Sequence, residues 1–275
     1  MSLATPNRLP ISVCLISGAE AERIGRALSS VAGWTSEIIV VLNQEVNDGT
    51  EQIAAKQGAR IFREPWKGHV AQKNSVARKA TQDWILGLDA DEVVSDSLRE
   101  EIQTLFSNTA RLARCSAFSF PRLTWFCGRW IRHGDWYPDR GTRLWRRGKA
   151  QWGGVDPHDK LLVQGPVGAL GSDLLHYNAT SLDGQLAKII AYSDDFVRDA
   201  LKRRRKPGWY DIAFRPGWRF FRSYFLRLGF LDGWQGYYIA WMTAFYSATR
   251  YAKLRTALTK ESEAKSAKPH DSTRD

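Results

Sequence analysis

The stretch W-I-L-G-L-D-A-D-E, from Trp84 to Glu92, joins an apolar run to two aspartates one residue apart. The apolar run predicts a buried strand that ends at Asp89 and Asp91. Side chains alternate along a strand, so both carboxylates project the same way beyond its end. Oxygen ligands so placed suit Mg²⁺ or Mn²⁺ held against a diphosphate. The alternative is an acidic turn that opens a helix, with Ser95 or Ser97 as its N-cap.

The segments before that strand alternate between strand and helix patterns. Apolar runs predict strands at residues 11–16, 37–42 and 59–63, with helix-like segments between them. This alternation predicts an α/β fold with a mostly parallel sheet. Ligands bind at the carboxyl ends of such strands, so residues 17–20 and 43–48 are expected on one rim with the two aspartates. Neither a dinucleotide-binding nor a P-loop glycine pattern is present.

Charge and cysteine content narrow the class of protein. A net charge of +11 over 275 residues calls for an anionic partner: nucleic acid, a phospholipid surface or a phosphorylated substrate. The three cysteines fit neither a disulfide framework nor a metal-binding pattern, which predicts reduced thiols in a cytoplasmic protein. The N-terminal residues lack the pattern of a signal peptide, which favours the same location.

The second half of the chain changes character twice. Residues 115–177 are irregular and rich in Trp, Gly, Arg and His, as in a substrate-binding half. Residues 198–227 carry ten Lys and Arg against two Asp, and residues 233–249 have no charge but six aromatic side chains. Rings beside cations favour the interface of an anionic membrane. Packing of the aromatic helix on the protein itself is the alternative, and a membrane span fits least because polar residues interrupt the stretch.

Four motifs together resemble the family 2 inverting glycosyltransferases of GT-A fold, and within them the bacterial lipopolysaccharide-core glucosyltransferases. The motifs are I-S-V-C-L-I (11–16), S-E-I-I-V-V-L-N-Q-E-V-N-D-G-T (36–50), W-K-G-H-V-A-Q-K-N (66–74) and D-W-I-L-G-L-D-A-D-E (83–92). The resemblance covers about residues 10–255. It implies Mg²⁺- or Mn²⁺-dependent transfer of a hexose, glucose, from a nucleotide sugar to a lipid-linked inner-core saccharide. The enzyme is expected at the inner face of the cytoplasmic membrane.

Three regions are predicted on this basis. Residues 1–180 form a GT-A catalytic domain, with a donor half at about 10–110 and an acceptor half at 111–180. Residues 181–257 form a helical, basic and aromatic extension that associates with membranes. Residues 258–275 form a disordered tail.

The resemblance also implies roles for residues of the donor half. The first aspartate of D-x-D lies near the donor ribose and the second binds the cation. The implied donor-binding residues are Glu20, Asn43, Gln72, Lys73, Asn74 and Asp89, with Asp91 as metal ligand. Lys73 is expected to neutralise diphosphate charge; a solvated helix lysine is the alternative. Relatives usually have Asn-Glu where this chain has Ala19-Glu20, and Asp where it has Asn43. An amide both donates and accepts, so Asn43 is expected to read a base with altered preference.

The acceptor half supplies the implied base and acceptor contacts. Residues 151–165 resemble the family segment whose His-Glu pair supplies the base, which maps to His158-Asp159; Asp159 is the first candidate and His158 the second. His176 is a candidate second metal ligand, or else a structural histidine. The candidate acceptor-binding residues are Arg129, Arg132, His133, Arg140 and Arg143. Trp and Arg packing within a loop is the alternative for this last group.

Other functions remain open to the sequence. The same fold could act on a polyprenyl-phosphate or capsule glycan precursor. A different class is a non-catalytic basic protein that binds nucleic acid or membrane, since residues 203–205 lie near Trp209 and Trp218. No nucleic acid is expected as a partner, because no recognised binding motif is present. A degenerate binding protein is the last alternative, favoured if Ala19 and Asn43 reflect lost donor affinity.

Overall fold

The computed structural model describes residues 8–155, 158–177 and 182–266. The chain divides into two units. The first comprises Met1–Trp125 and Pro138–Asn178, and the second comprises Phe126–Tyr137 and Ala179–Asp275. The sequence analysis predicts the boundary between catalytic domain and extension at residues 180 and 181, with residues 126–137 in the catalytic domain. In the structure this short segment belongs to the second unit.

The secondary structure follows the chain in this order. The strands are β1 (Leu9–Ser17), β2 (Thr35–Asn43), β3 (Arg60–Glu64), β4 (Trp84–Gly87), β5 (Glu92–Val94), β6 (Ala117–Phe126), β7 (Arg129–Ile131), β8 (Asp139–Arg146), β9 (Ala150–Val155), β10 (His158–Val163), β11 (Val167–Ala169) and β12 (Leu174–His176). The α-helices are α1 (Ile24–Ser29), α2 (Thr50–Lys56), α3 (His69–Arg78), α4 (Asp96–Ser107), α5 (Thr109–Arg114), α6 (Leu182–Lys202), α7 (Trp209–Phe221) and α8 (Gly233–Ser266). A π-helical turn (Arg222–Leu226) and a 3-10 turn (Gly229–Asp232) connect α7 to α8.

The first unit is built on a mixed sheet in the order β3-β2-β1-β4-β8-β6-β12-β5. Strands β3, β2, β1 and β4 are parallel, and β4 meets β8 in antiparallel fashion. Strand β12 is parallel to β6 and antiparallel to β5. The predicted strands at 11–16, 37–42 and 59–63 are confirmed, as is the α/β class. The carboxyl ends of β1, β2 and β4 therefore lie on one edge.

The core explains why these strands read as continuous apolar runs. Ile11, Val13 and Leu15 of β1 pack into one hydrophobic cluster, and Cys14 points into another on the opposite face. Strands covered on both faces lose the polar alternation of a half-exposed sheet. Gly87 in β4 lies under an indole ring: a Cβ there would come within 2.9 Å of the Trp145 ring. A residue without a Cβ is therefore needed at position 87, the last residue of β4 before the acidic motif.

The second unit is a helical body tied to the segment 126–137. Helices α6 and α7 both pack along α8. Asp232 is almost fully buried and accepts hydrogen bonds from the backbone N–H of Arg132 (2.9 Å) and of His133 (2.7 Å). A Cβ on Gly236 would lie 1.8 Å from the carbonyl oxygen of Gly229, so glycine is required where the 3-10 turn meets α8.

Helix α8 continues to Ser266 and so includes residues 258–266, which the sequence assigned to a disordered tail. The Lys, Glu and Ala of this stretch are strong helix formers, which favours continuation of the helix. The remaining tail residues, 267–275, lie outside the described residues. Within the described part of the chain, no helix combines the length and apolarity needed to cross a bilayer.

Candidate active site

The loops that follow β1 and β2 are joined by hydrogen bonds. The Glu20 N–H donates to the Thr50 hydroxyl (3.0 Å), and the Ala21 N–H donates to the Asp48 carboxylate (3.2 Å). Burial raises the pKa of Glu20; Arg23 opposes this shift and the charge of Asp91 adds to it. Glu20 is thus close enough to Asp91 to feel its charge, as expected of a common rim.

Two cations flank the first aspartate of the D-A-D-E motif. Asp89 lies 3.0 Å from the Lys73 ammonium and 2.7 Å from the Arg143 guanidinium. Burial on its own raises the pKa of Asp89, but Arg143 and Lys73 outweigh it and hold that pKa well below its ordinary range. Burial on its own lowers the pKa of Arg143, but the negative charges of Asp89 and Glu92 outweigh it and raise that pKa. Asp89 is therefore a fixed anion at neutral pH.

Lys73 also contacts the candidate base. Its ammonium lies 2.9 Å from Oδ2 of Asp159, in addition to its contact with Asp89, and 4.6 Å from the centre of the Trp152 ring. Lys73 is 8% exposed, which rules out the solvated-lysine alternative. One buried ammonium thus joins the carboxylate that follows β4 to the carboxylate on β10. The side chain of His158, the second candidate base, lies outside the described residues.

Asp91 and His176 form the candidate cation site. Nε2 of His176 lies 3.3 Å from Oδ2 of Asp91, and the Thr124 hydroxyl lies 3.4 Å from Nδ1 of the same ring. The sheet sets this geometry, because β12 places His176 opposite Thr124 of β6 and Glu92 of β5. Adjacent ligands of an octahedral ion, each about 2.1 Å from it, lie about 3.0 Å apart, so the pair fits a shared ion.

Protein ligands alone do not complete such a site. Among the residues that the structure describes, no group of three or more His, Cys, Asp or Glu side chains could hold a metal ion. Mg²⁺ commonly takes one or two protein carboxylates and fills its other positions with water and phosphate oxygens. A two-residue site therefore suits an ion that arrives with a diphosphate.

Comparison with known proteins decides the family. Residues 12–166 match the model of "Glycosyl transferase family 2". The chain belongs to glycosyltransferase family 2. The GT-A α/β class expected from the motifs is thereby supported, and the protein is an enzyme of this family.

Two relatives and one solved structure show the range of similarity. An uncharacterized glycosyltransferase of Rickettsia felis is 31% identical over 91% of both chains. The lipopolysaccharide core biosynthesis glycosyltransferase LpsC of Rhizobium meliloti is 27% identical over 89% of this chain and 94% of LpsC. The mannosyltransferase PcManGT of Pyrobaculum calidifontis, solved with GDP-Man and Mn²⁺, is 16% identical with a TM-score of 0.49, covering 97% of this chain and 84% of that one.

The remaining donor candidates of this glycosyltransferase differ in hydrogen-bonding capacity. Gln72 is fully buried, and none of the described residues hydrogen-bonds to either amide atom. Asn74 uses both amide atoms on the backbone of Trp152, at 2.8 and 2.9 Å, and so links α3 to β9. Asn43 accepts a long bond from the Glu45 N–H (3.4 Å). The buried amide of Gln72 therefore retains hydrogen-bonding capacity that Asn74 has spent on the Trp152 backbone.

The five candidate acceptor residues fall in both units. Arg140 donates to the backbone carbonyl of Leu170, and Arg143 lies at the D-A-D-E motif. Arg129 donates to a backbone carbonyl at 2.9 Å, and the His133 ring lies 3.1 Å from Asp232. Arg132 lies beside His133 in that same segment of the second unit. The acceptor role of all five stays a prediction, and the contacts of Arg143 favour a role in holding Asp89.

Sequence reasoning missed Glu92. Its side chain has no exposed surface and lies 2.8 Å from Arg143 and 3.3 Å from Arg122, and it accepts a hydrogen bond from the Asp89 N–H (3.0 Å). A buried carboxylate needs such partners. A signal was present in the sequence: Glu92 directly follows Asp91 and precedes the apolar pair Val93-Val94, and a carboxylate beside buried apolar residues requires a cation from elsewhere in the chain.

Proposed function

We propose that this family 2 glycosyltransferase transfers a hexose, namely glucose, from a nucleotide sugar to the lipid-linked inner core of lipopolysaccharide. The transfer inverts the anomeric configuration and requires Mg²⁺ or Mn²⁺. The reaction takes place at the inner, cytoplasmic face of the membrane. The observation that carries the proposal is the Lys73 ammonium between Asp89 and Asp159, with Asp91 and His176 on the same rim. The similarity to LpsC supports the choice of acceptor.

The donor side is assigned to the rim after β1, β2 and β4. Asp89 accepts hydrogen bonds from the donor ribose, and Asp91 and His176 would hold the cation. A divalent cation held there would supply positive charge to the departing nucleoside diphosphate. Glu20, Asn43 and the buried amide of Gln72 complete the nucleotide contacts.

The acceptor side is assigned to Asp159. Its carboxylate removes the proton of the acceptor hydroxyl as the oxygen attacks the anomeric carbon from the face opposite the diphosphate. Lys73 positions this carboxylate relative to Asp89 through contacts of 2.9 and 3.0 Å. General base and donor site are thereby held in a fixed relation, which is what a single displacement requires.

Nucleotide binding tests the donor site. Calorimetric titrations use UDP, GDP and other nucleoside diphosphates, with Mn²⁺, with Mg²⁺ and with chelator, on the wild type and on Asp91→Asn. We expect metal-dependent binding of one nucleotide, weakened by roughly tenfold or more in Asp91→Asn. Asp96→Asn is the matched control, because Asp96 lies on the surface of α4 with an 86% exposed side chain. Wild-type protein that binds no nucleotide under any condition contradicts the proposal.

Acceptor trials then separate the lipid-linked substrates. The wild type is incubated with the donor that binds and with lipopolysaccharide core, polyprenyl-phosphate glycan or capsule precursor. Transfer to the core alone supports the proposed acceptor. Transfer only to a polyprenyl-phosphate or capsule glycan keeps the donor site and replaces the acceptor.

A further inference from the structure

Helix α7 turns an aromatic stripe outward. No residue of this helix is buried. Tyr210, Phe214, Trp218 and Phe221 follow one another at spacings of four, four and three residues, which places them on one helical face. Their exposed fractions lie between 44% and 55%. An amphipathic helix of a globular protein normally packs such a stripe on the core, but none of the residues that the structure describes covers this one fully.

The first half of α8 extends the same feature. Trp234, Tyr237, Trp241 and Phe245 are spaced by three and four residues and are each about half exposed. Phe220 of α7 joins the two helices, with its ring centre 5.8 Å from that of Tyr237 and 5.2 Å from that of Trp241. These residues define what we term the aromatic surface: Tyr210, Phe214, Trp218, Phe221, Trp234, Tyr237, Trp241 and Phe245.

Arginines adjoin the aromatic surface with a surplus of charge. Arg219, Arg222 and Arg227 lie 3.8, 3.1 and 3.0 Å from the carboxylate of Asp135. Three guanidinium groups share one carboxylate, which leaves two positive charges uncompensated within this cluster. Their side chains are 31–43% exposed, so they can reach a further anion. Arg222, the first residue of the π-helical turn, lies four residues after Trp218, so this cation and this ring share one helical face.

We propose that the aromatic surface and the Arg219–Arg222–Arg227 cluster bind the headgroup region of an anionic phospholipid bilayer. Half-exposed Trp, Tyr and Phe side chains suit headgroup depth, where an apolar ring body meets a polar boundary. The surplus guanidinium groups supply donors for lipid phosphates, which Arg binds in bidentate fashion. The helices lie in the interface plane, in agreement with the absence of a spanning helix from the described residues. This inference rests on the proposed function, because a lipid-linked acceptor places the enzyme at a membrane.

Vesicle flotation tests the surface. Full-length protein is mixed with phosphatidylcholine vesicles with and without phosphatidylglycerol, and the affinity is measured for two variants. The test variant is Phe214→Ser/Trp218→Ser/Phe221→Ser. The matched control is Leu186→Ser/Ile190→Ser, which removes exposed apolar side chains from α6 in the same unit. We expect the test variant to lose about tenfold or more in affinity, and the control to stay within about twofold of wild type.

A second arm tests the arginines. Arg219→Gln keeps two cations on Asp135 and is expected to reduce the preference for phosphatidylglycerol by several-fold. Circular dichroism and thermal unfolding establish that each variant is folded. The salt dependence of wild-type vesicle binding is a further test that needs no variant, because added salt should weaken binding by exposed arginines. Equal vesicle binding by wild type and test variant overturns the proposal. A wild-type dimer that becomes monomeric in the test variant, without vesicle binding, assigns the surface to a second copy and also overturns it.

Nucleotide titration on the same preparations separates the two proposals. Wild-type protein that binds nucleotide with metal but does not float with vesicles overturns the bilayer surface alone. Wild-type protein that floats with vesicles but binds no nucleotide overturns the proposed function instead. Binding to phosphatidylcholine vesicles that phosphatidylglycerol does not improve overturns the role of the arginine cluster.

Discussion

Cations at the D-A-D-E motif are largely buried and each contacts two carboxylates, whereas beside the aromatic surface three cations contact a single carboxylate. In the first unit, Lys73 lies between Asp89 and Asp159, and Arg143 between Asp89 and Glu92. In the second unit, three arginines share Asp135. Buried cations with a carboxylate on two sides hold the reacting groups in place, while surplus exposed charge remains available to a partner. The buried ion pairs of the first unit therefore suit a catalytic site, and the surplus arginine charge of the second unit suits the binding of an anionic partner.

The largest effect is expected at the proposed base. Asp159→Asn removes the proton acceptor but leaves Lys73 paired with Asp89 at 3.0 Å, so the fold and nucleotide binding are retained. We expect kcat to fall by roughly 10²- to 10⁴-fold. The measurement is steady-state turnover with the donor identified by calorimetry. Lys160→Ala, at an exposed neighbouring position on β10, is the control. Turnover close to wild type in Asp159→Asn would move the base elsewhere.

Glu92 tests whether the buried ion pairs stabilise the first unit. Glu92→Gln leaves Arg143 and Arg122 without the carboxylate that lies 2.8 and 3.3 Å away. Breaking a buried ion pair from one side costs about 3 kcal/mol of unfolding free energy. Urea denaturation measures this loss, with Glu100→Gln on the exposed face of α4 as control. Equal stability of the two variants would show that the carboxylates already beside these arginines, Asp89 for Arg143 and Asp139 for Arg122, compensate them without Glu92.

Glu64 gives a smaller and pH-dependent effect in the same unit. The Lys79 and Lys67 ammonium groups lower the pKa of Glu64 to about 2. Because the folded-state pKa lies below its ordinary value, this stabilisation is present above about pH 4.5 and is lost as the pH falls toward 2. We expect Glu64→Gln to lower the unfolding free energy by about 1–2 kcal/mol at pH 7.

Urea denaturation of this variant at several pH values checks the sign. The difference in unfolding free energy between variant and wild type should shrink as the pH falls from 5 to 3, toward the folded-state pKa of about 2. Glu45→Gln, at an exposed glutamate, should show a constant and small difference. A Glu64→Gln difference that stays constant with pH would mean that the two lysines do not stabilise the folded state.

The smallest effect is expected on the aromatic surface. Trp218 is 54% exposed, so Trp218→Ser should change the unfolding free energy by no more than about 0.5 kcal/mol. The same denaturation measurement applies. A loss of several kcal/mol would show that the ring is part of a core, and would remove the contrast between the two units.

Local patterns in the sequence predicted the parallel half of the sheet and its rim. The apolar runs of β1, β2 and β4 carry their own signal, and strand alternation places Asp89 and Asp91 beyond the last of them. Lys73 was expected at a diphosphate from the family motif alone. Its contact with Asp159 joins residues 86 positions apart, and no local pattern encodes such a pairing.

The antiparallel half was harder to predict for the same physical reason. Strands β5 and β12 have three residues each, β6 and β8 pair with a register shift, and the order of all four in the sheet depends on pairings between distant segments. The Arg143–Glu92 contact spans 51 positions. Residues 126–137 are tied to the second unit partly by Asp232, which accepts hydrogen bonds from backbone amides, an interaction that side-chain periodicity does not reveal.

The discontinuous second unit also dictates an order of events during translation. The backbone N–H of His133 finds its acceptor, Asp232, 99 residues later in the chain. At about 5–20 residues per second, the ribosome takes roughly 5–20 s to synthesise that distance. Throughout this time residues 126–137 have emerged without their helical partners. The helical body of the nascent enzyme can therefore be completed only after Asp232 has been synthesised.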